Sequence, residues 1–428
     1  MKRFRFNRRV VLGALTLTLS TVAARAQMGP PPNYSGDFWT RSTLTGDWGG
    51  LRNELATKGM TFDLSATQVE MGVINGGRNQ SWNYAGRYDF LFNLDTQKAG
   101  LWRGGFFTLE AEGNWGSRIN RDTGALIPVD SNDIYPTPGE NSPIDLPNVS
   151  YAQFVSPHLG FFLGKIATVT STSGDMNAFA HGKGDDNFMN LSFNFNPTIA
   201  VIPYSTLGAG VIILPGKTPE DAIITLSVLD AEGSAGTSGF NTVFEGGTMY
   251  VAEGRVRTDF FGKTGHQLAG GVYSDKLYTS LGQNFRIDVQ NRALRTTSGF
   301  WALYYNFDQY VYEPVKGADK GVGVFGRFGI ADDAVNPIKI FWSVGVGGKG
   351  MIPGRPHDSF GIGYYNVTTS NQSVPSFVGA GDGQGAEAYY NFAITPWAQL
   401  TVDLQYVEAG LPRSDDALVL GARLKLQF

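Results

Sequence analysis

Apolar and polar residues alternate along most of this chain. In 87–95, Tyr88, Phe90, Phe92 and Leu94 oppose Arg87, Asp89, Asn93 and Asp95. In 106–114, Phe107, Leu109 and Ala111 oppose Thr108, Glu110, Glu112 and Asn114. In 250–260, Tyr250, Ala252, Val256 and Phe260 oppose Glu253, Arg255, Arg257 and Asp259. In 397–407, Leu400, Val402, Leu404 and Tyr406 oppose Gln399, Thr401, Asp403 and Gln405. A period of two is the signature of a strand with one apolar face. Sixteen such strands are expected, at 60–74, 86–97, 104–116, 148–156, 159–168, 204–214, 221–231, 247–260, 266–280, 299–313, 321–331, 338–349, 359–370, 385–395, 397–409 and 416–428. Many are long enough to cross a bilayer with tilt, which takes ~9–11 residues.

A soluble sandwich and a membrane barrel share this alternation, but connection lengths separate them. From the second strand on, every second link is short, such as Pro157-His158 and the Pro396 corner. The intervening links include the long stretches 117–147, 169–203, 232–246, 281–298 and 371–384, with 332–337 and 410–415 as short exceptions. An even strand count with short turns on one side and long loops on the other predicts an all-β, transmembrane antiparallel β-barrel. Sixteen strands enclose an aqueous channel rather than a packed interior. Before the barrel, Asp47 is expected to cap a short helix over 49–58, with Leu51 and Leu55 on one face and Gly59 as its stop.

The two ends place the barrel. Residues 1–9 are basic, Val10–Leu19 are mostly apolar, and Ala24-Arg25-Ala26 offers small residues for cleavage. A signal peptide over 1–26 is expected, then an extension with the helix over 27–59 and the barrel over 60–428. Loss of six basic residues with the leader leaves 28 basic against 38 acidic, net −10. At the other end, Leu418, Leu420, Ala422, Leu424, Leu426 and Phe428 form one face. A last strand closing on Phe is the pattern that the assembly machinery of bacterial outer membranes reads.

Composition narrows the remaining classes. With 17% charged and 13% aromatic residues, the chain is not of the disordered type. No Cys is present, which excludes disulfides and Cys-based zinc sites. No apolar run approaches the ~20 residues of a spanning helix. Net charge −4 for the whole chain, without a basic block, argues against nucleic acid as a partner. His158, His181, His266 and His357 are scattered, and no nucleophile elbow, phosphate loop or paired-His metal motif occurs, so neither an enzyme nor a cofactor is expected.

Several blocks resemble the carbohydrate-selective porins of the OprB type: Leu44-Thr-Gly-Asp-Trp-Gly-Gly-Leu-Arg52, Val228-Leu-Asp-Ala-Glu-Gly233, Arg257-Thr-Asp-Phe-Phe261, Gly299-Phe-Trp-Ala-Leu-Tyr-Tyr305, Gly323-Val-Phe-Gly-Arg-Phe-Gly329 and Asp416-Ala-Leu-Val-Leu-Gly421. They run from residue 44 to near the end of the chain. The resemblance implies a sixteen-stranded outer-membrane porin that passes sugars by diffusion. A general or anion-preferring porin shares that fold, and a barrel enzyme is the reading from another class. A homotrimer is an assembly such barrels adopt, though no contact for one is legible.

A porin needs a constriction. The link 169–203 is the best candidate to fold inward, with Asp175, His181, Lys183, Asp185 and Asp186 among Phe179 and Phe188. Charged residues on the polar faces are the other candidates: Arg87, Asp89, Glu110, Glu112, Glu253, Arg255, Arg257, Asp403, Arg423 and Lys425. Arginines and carboxylates offer donors and acceptors to sugar hydroxyls. Arg255 with Arg257, and Arg423 with Lys425, suggest a basic strip, with Glu253 and Asp259 as competing partners. Gly345–Gly350 read as small residues in a curved wall, and Trp102 and Trp397 as interface anchors.

Overall fold

The computed structural model describes residues 31–137, 141–169, 177–218, 220–283, 294–370 and 381–428. The expected leader and Asp175 lie outside the described residues. The alternating runs become strands β1 Met60–Gly77, β2 Trp82–Asp95, β3 Gly105–Gly116, β4 Asp145–Ser156, β5 Leu159–Ala167, β6 Ser205–Ile213, β7 Ala222–Asp230 and β8 Thr248–Thr258. They continue as β9 Gly265–Thr279, β10 Thr296–Tyr312, β11 Gly321–Ala331, β12 Ile338–Lys349, β13 Ser359–Thr369, β14 Gly383–Thr395, β15 Ala398–Val407 and β16 Asp415–Gln427. Every expected strand is present, with ends moved by at most four residues. Sequence neighbours pair antiparallel, and β1 pairs with β16 from Ser65↔Gln427 to Gly77↔Asp415, which closes the barrel. Closure leaves no unpaired edge, the condition for strands to sit in lipid.

Burial follows side-chain parity, but with the polarity of a soluble protein inverted. On β15, Thr401, Asp403 and Gln405 are buried while Val402, Leu404 and Tyr406 are exposed. On β2, Arg87 and Asp89 are buried between the outward Tyr88 and Phe90. A sandwich would bury the apolar set. Polar inside and apolar outside is the arrangement of a membrane barrel around a polar lumen.

Among the described residues, three short α-helices accompany the strands: α1 Leu51–Thr57, α2 Asn120–Thr123 and α3 Leu191–Asn194. α1 corrects the expected helix in two ways. It starts after Gly50, whose φ of 95° only glycine adopts cheaply, and no side chain caps it. Asp47 instead binds the turn before it, its Oδ1 accepting from the Gly49 N–H at 3.2 Å. The buried face is Arg52 and Ala56, while Leu51 is exposed. The guanidinium wins that face because it reaches backbone carbonyls at the barrel seam.

Described parts of two connections at the long-loop end pack against inward-facing wall residues: L2 (117–144), which carries α2, and L3 (168–204), which carries α3. Phe179, Phe188, Met189, Leu191 and Phe193 of L3 form one apolar cluster with Ile119, Ile127 and Val129 of L2 and wall residues Tyr310, Phe325, Tyr365 and Tyr389. Ring centroids lie 4.6 Å apart for Phe188–Phe193 and 4.9 Å for Phe188–Tyr389. The wall glycines that read as curvature residues also admit this loop: a Cβ on Gly347 would stand 2.6 Å from the Phe179 Cβ.

Candidate functional site: the lumen eyelet

Loop backbone inside a barrel has polar groups that need partners. Inward wall side chains supply them. Asn306 and the Phe307 carbonyl on β10 accept from Asn177 Nδ2 at 2.8 and 3.0 Å. Arg327 on β11 donates to the carbonyls of Ala180 (2.6 Å) and Phe193. Glu387 on β14 accepts from the N–H groups of Met189 (2.6 Å) and Asn190 (2.9 Å), just ahead of α3. Arg423 on β16 donates to the carbonyls of Gly184 (2.5 Å) and Asn187 (2.9 Å). L2 locks against L3: Ser131 N–H and Oγ both donate to Met189 O at 2.8 Å, and Asn132 Nδ2 donates to Gly184 O at 2.8 Å. L3 is therefore held across the lumen by the wall on one side and L2 on the other.

At its tip L3 meets β2 and β3. Lys183 Nζ lies 2.9 Å from Glu110 Oε1, 3.5 Å from Asp89 Oδ1 and 2.8 Å from Tyr204 Oη, and it also pairs with Glu112. Arg87 Nε donates to Asp89 Oδ2 at 3.0 Å, and Arg87 Nη1 to Lys183 O at 3.3 Å. Lys425 Nζ binds Asp185 Oδ2 at 2.9 Å and Asp186 Oδ1 at 2.6 Å. Tyr135 of L2 covers both cations, its ring centroid 5.8 Å from the Arg87 guanidinium and from Lys183 Nζ.

Two cavities lie on either side of this cluster. One, of about 600 Å³, opens at the short-turn end and is lined by His181, Asp186, Arg257, His266, Lys349 and Asn391 among others. The other, of about 590 Å³, lies toward the long loops, with Tyr135, Tyr204, Thr168, Phe195, Glu232 and Lys276 in its lining. The first offers charged donors, acceptors and the Tyr310 and Tyr389 rings, and the second is richer in apolar surface.

The model of the carbohydrate-selective porin, OprB family, matches residues 79–428. The chain belongs to that family. It is 22% identical to the putative porin QuiX of Acinetobacter baylyi over 95% of this chain and 98% of the relative. It is 25% identical to Porin B of Pseudomonas aeruginosa over 30% of this chain and 32% of that one. The high-pH structure of Pseudomonas putida OprB superposes with a TM-score of 0.79 at 22% identity, covering 92% of this chain and all (100%) of that chain. That likeness carries the fold. The protein is thus an outer-membrane porin, its short turns periplasmic and its long loops extracellular.

The porin's fold sorts the charged residues that alternation nominated. Arg87, Asp89, Glu110, Glu112, Lys183 and Lys425 come together at the eyelet, in ion pairs with one another or with Asp185 and Asp186. Arg423 holds L3 backbone, and Asp403 accepts from Gln405 Nε2 at 2.8 Å. Arg255 is buried in the β8 wall, and Arg257 lines the periplasmic cavity with His181. Of their expected competitors, Glu253 accepts from Tyr304 Oη at 2.8 Å, and Asp259 pairs with Lys316 at 2.9 Å. Sequence reading missed Arg327, Glu387, Tyr135 and Tyr204. Arg327 and Glu387 stand at inward positions of glycine-rich strands, and a lone charge among glycines was the available signal.

Proposed function

We propose that this porin passes small, neutral, carbohydrate-like solutes by passive diffusion, with the L3 tip as the narrow point. The observation that supports it most is the eyelet between two cavities, where fixed donors, acceptors and tyrosines replace open water. A sugar gives up hydration there only if its hydroxyls find both donors and acceptors, and this lining holds both. Tyr310 and Tyr389 offer ring surface to its C–H faces. The barrel acts without catalysis or cofactor. The same reading includes a leader cleaved after Ala26, lipid around the outward apolar band and recognition of Phe428 by the assembly machinery.

Liposome swelling with monosaccharides, disaccharides and salts tests the preference. Monosaccharides are expected to enter faster than salts of similar size, and equal rates would make this a general porin. The double change Arg255→Ala, Arg257→Ala tests the wall. Each arginine removed deletes charge-assisted hydrogen bonds of ~1.5–3 kcal/mol, so loss of both is expected to weaken sugar block of ion current roughly a hundredfold or more. Parent-like block would remove both arginines from the sugar path.

A further inference from the structure

We infer that Lys183 sets the charge selectivity of this channel: it is a tethered cation that fills a ring of wall carboxylates and so denies that ring to free cations. Asp89 on β2 and Glu110 and Glu112 on β3 each bring a carboxylate oxygen within 4.8 Å of the others. Three carboxylates so close would draw a mobile cation into the passage. Their cation is instead supplied by L3, through a lysine with no measurable exposure (0%). Its ammonium has three N–H donors, and Glu110, Glu112 and Tyr204 stand around it to accept them.

The lysine is held from behind as well. Its backbone N–H donates to Asp185 Oδ1 at 3.1 Å, and its carbonyl accepts from Arg87. Arg87, 3.0 Å from Asp89, is the other cation paired with this ring. With Lys183 in place, two cations face three carboxylates. Without it, one arginine faces three. This imbalance falls between the two cavities.

Holding the loop does not require this ion pair. Arg327, Glu387 and Arg423 bind L3 backbone independently, and Phe179, Phe188 and Phe193 seat it on the glycine wall. Lys183 can therefore be discharged with L3 still docked.

The inference rests on the porin reading but not on the solute. It is read in ions, so a parent that conducts ions and admits no sugar would end the sugar reading alone. The test uses the full barrel in planar bilayers under a KCl gradient. Lys183→Met is expected to raise the potassium-over-chloride permeability ratio about tenfold, the low end of what focused charge does to local ion concentration. Calcium is expected to block current in Lys183→Met and not in the parent. Lys183→Arg should keep the parent ratio. Lys183→Met combined with Glu110→Gln and Glu112→Gln should return the ratio to within about twofold of the parent. An unchanged ratio in Lys183→Met overturns the inference. So does a raised ratio that survives removal of both glutamates, or a several-fold rise in conductance, since either marks loop collapse. If Lys183→Met yields no folded barrel, Lys183→Gln is read by the same criteria.

Discussion

Asp133 in L2 shows how far one buried carboxyl departs from solution behaviour. Burial and the nearby Asp130 raise its pKa from 3.8 to about 7, against the opposing pull of Arg118, 3.0 Å away. The folded loop thus holds this proton more tightly than the unfolded chain. The stabilisation is full below the unfolded value and is lost as pH rises through about 7. After correction for intrinsic exchange, amide protection over 118–134 is expected to fall by roughly tenfold or more between pH 5 and pH 8, at tenfold per pKa unit. Asp133→Asn should flatten that dependence; a parent-like slope in the variant would assign it to another group. No sequence signal marked Asp133, because its shift comes from L2 packing rather than from a motif. The inward charges were legible, since parity fixes which wall side chains leave the lipid. Their neighbours were not: Arg423 and Arg257 share a pattern, yet one binds L3 carbonyls and the other faces a cavity.

At the scale of elements, strand periodicity is local and L3 docking is not. Sixteen strands could be placed because each carries its own alternation, whereas the loop's path depends on wall residues more than a hundred positions away. Asn177 meets Asn306, and Asn190 meets Gln405. The complementary surface was nonetheless written in the sequence as phenylalanines in 169–203 and glycines on β11 to β13. Gly347 is the clearest test of that fit, because the atom opposing it is the Phe179 Cβ, which cannot rotate away. Gly347→Val is expected to cost ~1–3 kcal/mol by overpacking. The loop should yield before the strand does, since the strand is paired on both sides. Single-channel conductance should then rise and L3 should become cleavable by protease, with barrel heat-stability nearly unchanged. Parent conductance with a lower unfolding temperature would mean that wall and loop move as one body. α1 makes the opposite point: its leucines suggested the buried face, but a single arginine with backbone acceptors outweighed them.

The whole molecule depends on one long-range event, the meeting of β1 with β16 across the full length of the chain. Aromatic residues ring the periplasmic end, where Phe62, Phe92 and Phe107 run side by side on adjacent strands. Trp102 donates to Tyr151 Oη at 2.7 Å, and Trp397 donates to the Phe38 carbonyl at 2.8 Å. The N-terminal extension reinforces the closure. Leu44 N–H donates to Gln427 O at 2.7 Å, and Phe428 N–H donates to Leu64 O at 2.7 Å. Arg52 stands at the centre of this seam: it donates to Thr43 Oγ1 at 3.0 Å, to Phe428 O at 3.1 Å and to the Phe62 carbonyl, under the Tyr34 ring. One side chain thereby ties the extension, the first strand and the last. Hydrogen bonds to a charged group contribute ~1.5–3 kcal/mol, and a buried acceptor left unmet costs more than its bond was worth. Arg52→Ala should therefore lower the temperature at which the barrel loses its folded mobility on a gel, and lower the yield of inserted protein. Arg52→Lys should recover only part of both, because an ammonium cannot span three acceptors as the planar fork does. The groups Arg52 bonds are not those that hold L3, so conductance and ion selectivity of the barrels that do form should match the parent. A change in selectivity would show that the extension reaches the lumen, and unchanged stability would show that strand pairing alone closes the barrel.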